Sequence, residues 1–310
     1  VNIQWYPGHM TKTRRMIGEN LKFVDVVAEI IDARIPIASR NPDIDDLVGT
    51  KPRVVVLNRA DQADPAATKL WEAHFRAQGM AVLTCDAHSG AGVKQFSPVM
   101  RGALKEQIAK WREKGQVGRP VRAMVVGIPN VGKSTFINSF AGTTRAKAAN
   151  KPGVTRGKQW ISVDNFDLMD MPGVLWKKFD SLETASNLAF IGSIRDDILD
   201  IEELACGLLS SVRGIYPEQL LARYKLDESV LELPPYDLLQ AIGAKRGMLI
   251  SGGEVDTERA AKMLVGEFRA SKWGRLSLER PPHRDTAEEV DDYAEDDFPE
   301  DDPDFTDDED

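Results

Sequence analysis

The sequence predicts an α/β domain, then a small all-helical domain, then a disordered acidic tail. Three observations support this organisation. A glycine-rich loop lies between an apolar strand and a helical segment, short apolar runs alternate with helical patterns, and apolar residues beyond position 195 recur at helical spacing. We place the three parts at residues 1–180, 181–282 and 283–310.

The strongest motif is the loop at residues 127–134, which matches G-x-x-x-x-G-K-[ST] in full. It follows the apolar run Val121–Val126 and precedes a helical pattern, as this motif requires. Its glycines let backbone amides approach phosphate oxygens, and the helix N-terminus adds partial positive charge. The loop is therefore predicted to bind nucleotide phosphates through Asn130, Val131, Gly132, Lys133, Ser134 and Thr135.

Two further segments predict a Mg²⁺ site beside these phosphates. Asp170 begins a D-x-x-G motif after the apolar run 166–169, and the amide of Gly173 is expected to face the γ-phosphate. The Gly- and Pro-containing segment 151–157 resembles a switch loop, and Thr155 is its best hydroxyl for the metal. We expect Ser134 and Thr155 to ligate Mg²⁺ and Asp170 to bind it through water.

A guanine-binding pattern lies on the N-terminal side of the phosphate loop. Asn58, Arg59 and Asp61 follow the apolar run 53–57, and a carboxylate at Asp61 can accept from both donors of the guanine edge. Asn58 can bridge loops and face the base edge, and the Arg59 stem can cover the purine face. After the next apolar run, 81–85, Asp86 and Ala87 stand where a loop amide would meet guanine O6, with Asp86 in place of the usual Ser.

The order of these motifs is reversed relative to an ordinary GTPase, in which the phosphate loop comes first. It predicts a circularly permuted P-loop GTPase domain that binds GTP and GDP, with the permutation joint in the linker 115–120. With the motifs at 5–10, 32–36 and 151–155, the chain resembles the ribosome biogenesis GTPase A family. The resemblance covers about residues 3–280 and implies a GTP hydrolase that assembles the large ribosomal subunit.

The resemblance also implies partners and a cycle. We expect binding to the large-subunit precursor and its rRNA in the GTP state, release after hydrolysis, and a cytoplasmic monomer off the ribosome. A basic set in the helical part, Lys262, Arg269 and Lys272, is either a solvated helix face or an rRNA contact.

The source of catalysis is a separate question. The position after the D-x-x-G motif is Val174, which cannot orient water as a Gln does. His9 is the best candidate catalytic residue within the chain, and Asn130 stands where related GTPases bind K⁺. A GTP-binding scaffold with little hydrolysis and an RNA-modification GTPase remain alternatives, although no catalytic Cys or cofactor site supports the second.

Charge is concentrated in the tail. The chain has 49 acidic and 40 basic residues, and 16 of the acidic ones lie in residues 285–310, which contain no Lys or Arg. Residues 1–284 therefore carry 33 acidic and 40 basic residues, a formal charge of +7. Such a tail is expected to be disordered, either as a solubilising extension or as a competitor of RNA for the basic body. No apolar run approaches the ~20 residues of a membrane span, so no membrane association is expected.

The remaining pattern predicts individual elements. Strands are expected at 24–31, 53–57, 81–85, Val121–Val126 and 166–169, and helices after Gly8, at 65–78, 93–114, after Leu182 and at 259–271. The two cysteines, Cys85 and Cys206, are expected to be buried free thiols, so neither a disulfide nor a zinc site is predicted.

Overall fold

A six-stranded sheet forms the centre of the molecule. The computed structural model describes residues 10–142, 160–163, 165–173, 175–176, 179 and 181–282. The strand order is β3-β2-β1-β4-β6-β5, and all neighbours are parallel except β5 and β6, which are antiparallel. The strands are β1 Val26–Asp32, β2 Arg53–Asn58, β3 Ala81–Thr84, β4 Val121–Val126, β5 Trp160–Val163 and β6 Phe166–Asp170.

The pairing of β1 with β4 joins the two halves of the nucleotide-binding pattern. Strands β2 and β3 carry the predicted guanine motifs, β4 and β6 carry the phosphate and metal motifs, and β1 lies between β2 and β4. Because these five strands are parallel, their carboxyl ends meet at one edge of the sheet. The permuted chain order therefore still brings the motifs that follow β2, β3, β4 and β6 to a single edge of the sheet.

Helices cover both faces of this sheet and also build the C-terminal part of the chain. In the described part of the chain they are α1 Met10–Leu21, α2 Asp43–Val48, α3 Pro65–Ala77, α4 Phe96–Ala103, α5 Lys105–Glu113, α6 Lys133–Ala141, α7 Leu182–Phe190, α8 Ile201–Ile215, α9 Pro217–Tyr224, α10 Pro235–Lys245 and α11 Thr257–Arg269. Three of them begin at an aspartate whose carboxylate accepts from the first-turn amides, namely Asp64, Asp200 and Asp256.

Successive side chains of each strand point to opposite faces of the sheet, so the core consists of separate apolar clusters on the two faces. Val27 of β1 packs with residues of α1 and α2, whereas its neighbour Ala28 points into the largest apolar cluster. Farther along the sheet, Val55 and Leu57 pack on Trp71 and Phe75 of α3. The largest cluster continues into the C-terminal helices, so the helical part packs directly against the GTPase part. The predicted boundary after residue 180 stays a prediction.

Most predicted elements are confirmed, with ends shifted by one or two residues. The predicted single helix at 93–114 is wrong. It is a 3₁₀ turn at Val93–Gln95 followed by α4 and α5, with a break at Leu104, whose φ of −109° and ψ of 12° are not helical. Leu104 is buried, whereas α5 buries no side chain fully, so the break keeps Leu104 in the core and turns the next helix outward. The short edge strand β5 was not predicted.

Two smaller expectations need correction. Cys85 is buried as predicted, but Cys206 is only half-buried. Arg269 does not present a free basic side chain, because it donates to the carbonyls of Ala189 and Phe190 and forms an ion pair with Asp196. No helix in the described ranges has the length and apolar character needed to cross a membrane.

Candidate nucleotide-binding site

The phosphate loop, residues 127–134, leaves β4 and enters α6 through two positions that only glycine can occupy. A Cβ on Gly127 would lie 2.6 Å from the carbonyl oxygen of Ile30 in β1. Gly132 has a φ of +89°, and a Cβ there would overlap Nδ2 of Asn58. The loop backbone thus runs close against β1 and the end of β2. Ser134 and Thr135, at the start of α6, are exposed.

Lys133 and Asp170 meet at the carboxyl ends of β4 and β6. The ammonium of Lys133 lies 2.6 Å from Oδ1 of Asp170. Gly173 then packs so closely that a Cβ would lie 3.0 Å from the backbone nitrogen of Pro129. The D-x-x-G segment and the phosphate loop therefore form one surface, with a cationic and an anionic group side by side.

This donor set fits Mg²⁺ bound together with a nucleotide. The hydroxyl of Ser134 and the carboxylate of Asp170 are hard oxygen ligands, the type that Mg²⁺ prefers. No group of three or more His, Cys, Asp or Glu among the described residues could hold a metal by itself. Mg²⁺ commonly takes only one or two protein ligands, with phosphate and water completing its shell. The residues present therefore suit a nucleotide-linked metal rather than an all-protein cage.

Asn58 joins three loops. Its side chain is 2% exposed; Nδ2 donates to the carbonyl of Val131 at 2.8 Å, and Oδ1 accepts from the amide of Ala87 at 3.0 Å. The thiol of Cys85 lies 3.7 Å from the same Oδ1, and burial raises the pKa of that thiol to about 12. The base loop, residues 58–64, is thereby fixed to the phosphate loop and to the loop after β3.

Arg59 makes a second link between the base and phosphate loops. It has a φ of +60°, and its Nη2 donates to the carbonyl of Asn130 at 2.8 Å. Its Nε lies 3.7 Å from Asp32, which is fully buried with Arg34 in a bidentate ion pair. Burial alone would raise the pKa of Asp32, but the two guanidinium groups outweigh it and lower that pKa. Arg59, which stands where a Lys is usual, is thus paired in this chain with the carbonyl of Asn130 and the carboxylate of Asp32.

Asp61 lies beyond these links with its side chain exposed, and its carboxylate accepts no hydrogen bond from the described residues. Asp86 instead shapes its own loop, because its carboxylate accepts from the amides of His88 and Ser89 at 2.8 and 3.2 Å. The Ala87 amide is held by Asn58. Nucleotide contacts by Asp61, Asp86 and Ala87 stay predictions.

Asn130 connects the phosphate loop to the turn after α7. With a φ of +65°, it donates from Nδ2 to the carbonyl of Gly192 at 2.6 Å, and the adjacent Ser193 hydroxyl donates to Pro129 at 2.8 Å. Gly192 lies directly beside the guanidinium of Arg269. Sequence patterns gave no sign of Gly192 or Ser193, because neither belongs to a nucleotide-binding motif.

Three sequence-predicted positions lie outside the described residues: His9, Thr155 and Val174. The remaining predicted site residues converge at the carboxyl edge of the sheet. Fold and site together define a circularly permuted P-loop GTPase.

Comparison with known proteins narrows this class to one family. Residues 122–226 match the family described as "50S ribosome-binding GTPase". Ribosome biogenesis GTPase A of Bacillus licheniformis is 43% identical over 280 residues, covering 90% of this chain and 98% of that protein. Its namesake in Thermotoga maritima is 32% identical, covering 90% and 95%. This chain belongs to the ribosome biogenesis GTPase A family.

Two solved structures are similar to this chain over most of its length. GNP-bound YlqF from Thermotoga maritima has a TM-score of 0.59 and 28% identity, covering 87% of this chain and 99% of that chain. The GDP-bound form has a TM-score of 0.60 and 29% identity, covering 86% and 99%. Motif chemistry and family membership make this chain a GTP-binding hydrolase.

Proposed function

We propose that this GTPase assembles the large ribosomal subunit, binding the immature particle and its rRNA when loaded with GTP and leaving after hydrolysis. The observation that carries the GTPase part of the proposal is the junction at Asn58, which fixes the base loop to the phosphate loop. That junction builds one guanine-nucleotide site from two halves in permuted order. The relatives at 41–44% identity are named for ribosome biogenesis.

In this function each residue of the crevice has a distinct task. Lys133 neutralises charge on the β- and γ-phosphates, and Ser134 and Asp170 hold Mg²⁺, which supplies further charge stabilisation when bound. The amide of Gly173 faces the γ-phosphate. Asp61 accepts from the guanine edge. His9 remains the proposed residue that positions or activates water, and Thr155 the second metal-ligating hydroxyl.

A K⁺ ion is part of the proposal, and Asn130 supports it. Its Nδ2 is committed to Gly192, which fixes the side chain and leaves Oδ1 available as a ligand beside the phosphates. A monovalent cation there would stabilise charge that develops during phosphoryl transfer, as an arginine finger does in other GTPases.

Phosphate release with and without purified large subunits tests the enzymatic part. We expect hydrolysis that rises when subunits are added, and Lys133→Ala serves as the control that cannot hold the phosphates. Tight GTP binding without phosphate release in either condition would instead support a scaffold that binds GTP. Stimulation by small subunits equal to that by large ones would contradict the proposed partner.

A further inference from the structure

After α11 the chain returns to the sheet in residues 275–280, which we call the C-terminal strap. The amide of Leu276 donates to the carbonyl of Gln62 at 3.0 Å, and the amide of Leu278 donates to the carbonyl of Arg34 at 2.9 Å. Three successive strap residues, at positions 276–278, are buried. The strap therefore packs against the loops that follow β1 and β2 and is hydrogen-bonded to both.

Arg275 holds the base loop from one side. Its Nη2 donates to the carbonyl of Ala60 at 2.7 Å, and its Nε donates to the carbonyl of Ala63 at 2.9 Å. The planar guanidinium suits this fork, and hydrogen bonds from a charged donor are about twice as strong as neutral ones. The two carbonyls bracket Asp61, the residue that carries the guanine-accepting carboxylate.

The far end of the base loop is held by the same strap. The amide of Asp64 donates to Oγ of Ser277 at 3.1 Å, and its carboxylate accepts from Arg280 at 2.7 Å. Tyr216, at the junction of α8 and α9, donates to the same carboxylate at 2.9 Å. Residues on both sides of Asp61 are thus anchored, whereas its own side chain is exposed.

We propose that Arg275 is a positioning residue for guanine specificity. By fixing the carbonyls of Ala60 and Ala63 it holds Asp61 where one carboxylate meets both N1–H and the exocyclic amine of guanine. In a loosened loop the Asp61 carboxylate can still accept from one of these two guanine donors, but no longer from both at once. Arg275 therefore ties base selection to the C-terminal part of the chain. This inference rests on the proposed role of Asp61.

Binding of GDP and IDP, measured by calorimetry with Mg²⁺, tests the inference. Inosine lacks the exocyclic amine, so the ratio of the two dissociation constants reports whether Asp61 reaches both donors. For the wild-type chain we expect GDP to bind about tenfold more tightly than IDP, the value of one hydrogen bond of about 1.4 kcal/mol. In Arg275→Ala we expect GDP affinity to fall and the ratio to drop at least about threefold. Arg275→Lys, which keeps the charge but lacks the planar fork of donors, should lie between.

Turnover and a control variant separate positioning from a general structural role. At saturating GTP, kcat should stay near wild type while KM rises, since the phosphate-binding residues are untouched. Arg259→Ala is the matched control, because Arg259 is exposed and its side chain makes no hydrogen bond with the described residues. It should keep the wild-type ratio.

Two results would overturn the inference, and they differ. A wild-type chain that binds GDP and IDP equally would remove the role of Asp61 and the role of Arg275 together. A wild-type preference for GDP that survives unchanged in both Arg275 variants would reject Arg275 alone. A lowered melting temperature with an unchanged ratio counts as the second result, because it shows a structural contribution without an effect on specificity.

Discussion

Replacing Asn58 by alanine should damage stability and nucleotide binding together. The side chain is buried and pairs with the carbonyl of Val131 and the amide of Ala87. Alanine would leave both backbone groups without a partner, in surroundings where Val131 and Ala87 are themselves buried. The substitution therefore tests whether this side chain joins the two halves of the permuted site.

The magnitude follows from those two groups. An unsatisfied buried donor or acceptor costs about 1–3 kcal/mol, so we expect Asn58→Ala to lower the free energy of unfolding by about 2–6 kcal/mol. That is a large share of the ~5–15 kcal/mol typical of folded proteins. GDP affinity should fall more than tenfold, because three loops of the crevice lose their common anchor.

Urea titrations followed by tryptophan fluorescence, with GDP titrations on the same preparations, measure both effects. Asn138→Ala is a matched control, since Asn138 lies on α6, is half-buried and makes no side-chain hydrogen bond with the described residues. It should change stability by no more than about 0.5 kcal/mol. An Asn58→Ala protein within 1 kcal/mol of the wild type, with unchanged GDP affinity, would refute the assignment of Asn58 as the anchor.

Three other predictions concern the base, the cation and pH. Asp61→Asn should weaken GTP binding and favour xanthosine triphosphate, because the amide offers a donor where guanine needs an acceptor; unchanged GTP preference would contradict this. Hydrolysis should be faster in KCl than in NaCl at equal ionic strength, and Asn130→Ala should abolish the difference. Burial raises the pKa of Glu279 from its ordinary 4.5 to about 7, against the opposing hydrogen bonds from the amides of Ile37 and Ala38. The folded chain then keeps a proton that the unfolded chain releases, so this contribution to stability is complete below about pH 4 and is lost as pH rises through 7. The stability of Glu279→Gln relative to wild type should rise from pH 5 to 8 by at most about 3 kcal/mol, and a constant difference in the unfolding free energies would refute it.

Most of the candidate site could be predicted from short motifs in the sequence. The phosphate loop was predictable because its glycines and lysine must stand at fixed spacing between a strand and a helix. Asn58 was also expected to bridge loops, and the structure gives its partners as Val131 and Ala87. Parallel strands then explain why motifs far apart in the chain meet at one edge.

Long-range contacts were not predictable in the same way. Nothing in the local sequence indicates that Asn130 meets Gly192, or that Arg275 reaches the carbonyls of Ala60 and Ala63. These hydrogen-bond partners are determined by how the helical part packs on the sheet. Arg269 shows the converse error: its helix position suggested a solvated cation or an rRNA contact, but its side chain donates to the carbonyls at the end of α7.

Nucleotide-dependent binding to the large subunit tests the central claim most directly. Sedimentation of this chain with purified large-subunit precursors, in parallel with a non-hydrolysable GTP analogue and with GDP, compares the two states at one protein concentration. We expect the chain to pellet with the particles in the presence of the analogue and to stay mostly in the supernatant with GDP. Equal co-sedimentation in both nucleotides, or none in either, would contradict a cycle in which GTP loads the factor onto the particle and hydrolysis releases it.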